Sequence, residues 1–111
     1  MSREYVFTEG VESPSGHTVC EGALTLERPE VPVVIGAGSN SFTVGVARDM
    51  DRSDSGEVSF ELDCWGYNLE DWDKTCYVTD LTVDEHDPMV VLGGIIRAVT
   101  LLPRAGFPGL L

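Results

Sequence analysis

A chain of 111 residues with 42% hydrophobic content is long enough for one core, so a single domain over 1–111 is expected and a disordered chain is not. Nineteen acids against seven bases give a formal charge of −12. Such a surface repels phosphates, which argues against direct DNA or RNA binding, and attracts basic protein surfaces.

The start, MSREYVFTEG, lacks the apolar stretch of a signal peptide. The longest apolar run, 89–99, holds two glycines and Arg97 and is too short to span a bilayer. A cytoplasmic protein without a membrane segment is expected. Cys20, Cys64 and Cys76 are an odd number without C-x-x-C spacing, so they read as reduced, buried small hydrophobes.

Alternation of apolar and polar residues then predicts strands at 4–9 and 18–27, around a Ser-Pro-Ser-Gly turn at 13–16. Further strands follow at 31–35, 41–47, 57–67 and 75–83. Between the third and fourth lies Gly36-Ala37-Gly38, which opens like a pyrophosphate-binding loop. That motif needs a third glycine and a following helix, whereas Ser41 holds the third position and a period-two run follows. The segment reads as a hairpin connection, and no cofactor is expected.

Side-chain period fixes a register, because a slip by one residue turns every core residue outward. Folding 31–35 on 41–46 sets Ile35 opposite Phe42 and Val33 opposite Val44. Folding 42–47 on 57–62 sets Val46, Val44 and Phe42 opposite Val58, Phe60 and Leu62. Folding 58–67 on 75–84 sets Leu62 opposite Leu81 and Phe60 opposite Val83. Phe42, Val44, Phe60, Leu62 and Leu81 would then share one buried face.

From Asp87 the pattern changes. Asp87 and Pro88 resemble an N-cap and first helical residue, and Pro103 a stop, which predicts a helix over 88–102 and an irregular tail over 103–111. The expected fold class is α+β: an antiparallel β-meander of five to six strands with one C-terminal α-helix packed across it. That helix would be apolar nearly all round, and a homodimer through it would hide the excess.

Chemistry-bearing motifs are sparse. The acids around Asp84, Glu85, His86 and Asp87, and those at 49–57, lack calcium-loop spacing, so no metal is expected. His17 and His86 are the only histidines, and Cys20 falls with Leu24 and Leu26 on a core face, so no catalytic set is assembled. In the register above, Glu61, Asp63 and Asp80 point outward with Trp65 and Tyr67, and Trp72 lies in the neighbouring loop. Aromatics rimmed by carboxylates suit a protein-binding hot spot.

The expected function is a non-enzymatic acidic protein-binding module. Its form would be a small inhibitor or immunity-type protein, of the phage-encoded kind included, that engages a basic, nucleic-acid-binding enzyme. The alternatives are an assembly subunit joined through the helix, and a hydrolytic or small-molecule-binding domain.

Overall fold

Period-two alternation does build strands, and it builds more of them than the sequence pattern predicts. The computed structural model describes residues 2–13, 16–36, 41–66 and 69–103. Its strands are β1 (Ser2–Thr8), β2 (Thr18–Val19), β3 (Leu24–Thr25), β4 (Glu30–Ile35), β5 (Phe42–Arg52), β6 (Glu57–Cys64), β7 (Trp72–Val83) and β8 (Val90–Pro103). All eight join one mixed sheet. Its order is β1-β6-β5-β4-β8, with β2 and β3 continuing beside β8 and β7 pairing along β8 as well. The sheet curls into a half-barrel whose concave face holds Val33, Val58, Phe60, Leu62, Ile96, Val99 and Leu101, all nearly inaccessible.

The expected C-terminal helix is a correction: 90–103 is the longest strand, of 14 residues, and among the described residues there is no α-helix. The fold is therefore nearly all β rather than α+β. A run that is apolar all round suits a central strand, covered on both edges, as well as it suits a buried helix. Six β-branched residues decide the matter here, namely Val90, Val91, Ile95, Ile96, Val99 and Thr100. β8 pairs antiparallel with β7 and parallel with β2, β3 and β4. Gly94 belongs to this packing. A Cβ there would sit 2.6 Å from Val78 Cγ1 and 3.0 Å from Leu24 Cδ2.

The supposed helix cap is a hairpin turn. Asp84 Oδ1 accepts the amides of His86 and Asp87 at 2.9 and 3.2 Å, and Asp87 Oδ1 accepts that of Met89 at 3.0 Å. The Asp84 amide donates to the Val90 carbonyl at 2.9 Å, which closes the turn between β7 and β8. Aspartates favour such local bonds in turns as readily as at helix ends.

Registers are corrected in part. Ile35 lies opposite Phe42 as expected, but a bulge after Val33 sets that residue opposite Gly45. β5 continues to Arg52, so Ala47 faces Leu62 and Arg52 faces Val58, displacing all three expected pairs of this hairpin. Asp49, at φ 54°, occupies the bulge that makes this possible. β6 takes β1 as its second neighbour, and the expected pairing with β7 does not form. The expected N-terminal hairpin reduces to a single bridge, Glu12 with Thr18.

Burial follows the true register. Val44, Phe60 and Leu62 are buried, while Phe42 and Leu81 are each 55% exposed. Phe60→Ala is expected to cost about 3–5 kcal/mol in denaturant unfolding. Phe42→Ala is expected to stay within about 0.5 kcal/mol. Equal losses at the two positions would contradict the register.

Candidate protein-binding surface and the groove between the sheet edges

The curl of the sheet brings its two open edges, β1 and β7, within 8 Å of each other. From β1 through β6, β5, β4 and β8 to β7 there are four antiparallel steps and one parallel step, so β1 and β7 point the same way. Neither has a second ladder partner among the described residues. Near the start of both strands, Lys74 Nζ lies 3.8 Å from Glu4 Oε2 and donates to the Leu69 carbonyl at 2.9 Å. The chain's single lysine is therefore engaged inside the fold, its side chain only 10% exposed.

A groove of about 790 Å³ runs along this seam. Val6, Leu24 and Val91 are buried along it, and half-buried Cys76 and Val78 line it from β7. Its rim is apolar and open: Tyr5, Val11, Leu81 and Leu102 line it while staying 45–57% exposed. Glu12, His17 and Asp73 add polar groups at the margin. His17 is half-buried rather than an exposed turn residue, held by bonds between its backbone and Ser13.

The six residues singled out for partner binding are only partly gathered. Glu61 and Asp63 share the outer face of β6, between Phe60, Leu62 and Cys64, which point inward. Both meet bases there: Glu61 is in register with Arg3 and Arg48, and Asp63 Oδ2 lies 3.8 Å from Arg48. Trp65, just past β6, is 61% exposed. Trp72 is no loop residue: it begins β7, packs half-buried on the core and lines the groove. Asp80 lies on β7, which is not a neighbour of β6, in a left-handed conformation (φ 56°) 3.4 Å from Arg97. Tyr67 lies outside the described residues.

Sequence reasoning missed the groove. Its walls come from strands some seventy residues apart, and an exposed Leu81 or Val11 looks like any core residue in an alternating pattern. No local signal marks them, because Leu81 lies within an irregularity of the β7–β8 pairing that alternation does not encode.

The remaining motifs fall in or beside hairpin turns. The acids at 84–87 form the hairpin turn described above, and His86 Nε2 lies 3.2 Å from Glu85 with both side chains almost fully exposed. Among the described residues no group of three His, Cys, Asp or Glu side chains is placed to hold a metal ion. From Phe42 the chain returns as β5, antiparallel to β4, where a pyrophosphate-binding loop would lead into a helix. Among the described residues no helix is long and apolar enough to cross a membrane. No family model, curated protein or solved structure matches this chain.

The three cysteines are free thiols. Burial pushes the Cys76 thiol up to about 12. The Cys64 thiol is raised too, first by burial and then by the carboxylates of Asp63 and Glu4, with Lys74 opposing. The folded chain thus keeps the Cys76 proton after the unfolded chain, with a thiol near 8.5, has released it. This group leaves stability unchanged below about pH 8 and lowers it as pH climbs from there toward 12. Thermal melts from pH 7.5 to 10 should therefore fall less steeply for Cys76→Ala than for the parent; identical slopes would count against the burial of this thiol.

Proposed function

We propose that the chain is a non-enzymatic, acidic protein-binding module of the inhibitor or immunity type, engaging a partner with a basic surface such as a nucleic-acid-binding enzyme. The observation that carries this reading is the division of charge over the fold. Four bases are held by the chain's own carboxylates: Arg48 by Glu30 and Asp63, Arg52 by Glu9, Lys74 by Glu4, and Arg97 by Glu27 and Asp80. The acidic excess is left to the outside, and the topology collects much of it at one end.

β5 and β7 run in the same direction, so the hairpin turns that follow them lie at the same end of the half-barrel. Asp51, Asp54 and Glu57 are exposed at the first turn, and Glu85 and Asp87 at the second. Such an end draws a basic partner in and orients it, since a field of one sign raises association rates without setting affinity. An assembly subunit joined through an apolar helix loses its premise, because the residues of that segment form β8 and Ile96, Val99 and Leu101 are buried by their own chain.

The test is the salt and charge dependence of association with a partner isolated by affinity capture. Asp54→Lys combined with Glu85→Lys is expected to lower the on-rate about tenfold at low salt. The difference should shrink as salt shortens the screening length to about 8 Å and below. A double variant that associates as fast as the parent at every salt concentration would overturn the reading.

A further inference from the structure

Apolar side chains on a soluble surface are ordinary when scattered, but here they follow a line. Tyr5 and Val11 stand on one side of the seam and Leu81 and Leu102 on the other, above a floor of Val6, Leu24 and Val91. A contiguous apolar strip with polar margins marks a place where something docks.

The shape of the strip limits what that is. A small apolar molecule is held by enclosure, with most of its surface covered. This groove is instead open along its length, since its rim residues keep about half of their surface in water. It follows β1 from Tyr5 to Thr8 and β7 from Trp72 to Leu81, a length suited to an extended chain of about six residues.

β1 and β7 come within 8 Å of each other, closer than the roughly 10 Å between the two neighbours of an inserted strand. The segment therefore lies over the seam and is held by its side chains rather than by ladder bonds.

Charge selects the occupant. Glu12 stands at the margin, and Lys74, the one lysine beside the groove, is already held by Glu4 and the Leu69 carbonyl. The groove extends to Leu81 on β7, toward the end where the acidic hairpin turns lie. A segment carrying lysine or arginine is therefore favoured and an acidic one repelled.

We propose that the groove over the seam of β1 and β7 seats an extended segment of a basic protein, with apolar side chains at alternate positions turned to the floor. The proposal rests on the protein-binding reading above and names the part of the partner that is recognised. It also explains why a long edge strand keeps Leu81 exposed, a feature that otherwise invites aggregation.

Selection of ten-residue peptides from a random displayed library against the full chain tests it. Enriched peptides should alternate apolar residues and carry lysine or arginine, and synthetic copies should shift the methyl resonances of Val11, Leu81 and Leu102. Leu81→Lys, at an exposed rim position, should weaken them at least tenfold, whereas Tyr77→Ser, exposed on β7 and outside the groove lining, should leave them unchanged.

Peptides indifferent to Leu81→Lys, or weakened equally by Tyr77→Ser, would overturn the proposal. So would saturable binding of palmitate with no peptide enriched, which would give the groove to a small apolar ligand. If peptides fail but a captured basic protein still associates with the charge dependence described above, the groove assignment falls and the protein-binding reading stands.

Discussion

The corner of the half-barrel is held by one buried ion pair, and the groove floor depends on it. Glu9 follows β1 with its side chain only 2% exposed, and its Oε2 accepts from Arg52 Nε at 3.0 Å. The same oxygen accepts the Gly22 amide at 3.0 Å, while Arg52 Nη2 donates to the Leu24 carbonyl at 2.8 Å. The Glu9 amide in turn donates to the Gly56 carbonyl at 2.8 Å, in the turn between β5 and β6. One pair of side chains thus joins the end of β1, the segment leading into β3 and the tip of the long hairpin. β2 and β3 have two residues each and cannot hold their places through ladder bonds alone. They bring Val19 and Leu24 to the core, and both residues line the groove.

A buried carboxylate is costly unless it is paired and bonded. Glu9 meets that condition at one oxygen; its Oε1 is buried with no hydrogen-bond partner among the described residues. Arg52 is 34% exposed at its side chain, so water shares its charge and the pair is weaker than a fully enclosed one. Its role is geometric more than energetic. It fixes which loop crosses the open end of the barrel, whereas the apolar inner face from Val58 to Leu101 carries most of the stability.

Much of the local structure was legible in the sequence, and most of its long-range pairing was not. The strands expected at 31–35, 57–67 and 75–83 overlap β4, β6 and β7, and the hairpin between β4 and β5 follows from the glycine-rich connection with Ile35 opposite Phe42. The β5–β6 register failed because Asp49 adopts a left-handed conformation and lets a polar segment continue the strand as far as Arg52. Polarity alone marked that segment as loop. The last segment failed for a different reason: continuous apolarity has no period, and Asp-x-x-Asp-Pro chemistry serves a hairpin turn as well as a helix start. Parallel pairing of β8 with β2, β3 and β4 leaves no local trace, because its partners lie far away in the sequence. Of the candidate site, the outer positions of Glu61 and Asp63 were legible from strand parity, but the pairing of Asp63 with Arg48 was not. That contact depends on a register the alternation could not supply.

Fold and proposed function meet at the seam. A sheet of this curl leaves two edges that must be blunted or used. Bulges near Val78 and after Thr79 and the inward Lys74 blunt β7 in part, and the apolar rim is what remains available. The floor beneath that rim is set by the Glu9–Arg52 corner, which is the central claim of this account. A double-mutant cycle on Glu9→Gln and Arg52→Met, measured by denaturant unfolding, tests it most directly. A coupling of about 1.5 kcal/mol or more is predicted for residues that share a buried, bonded pair. Additive effects within about 0.5 kcal/mol would mean that the two side chains act independently and that the corner is held by something else.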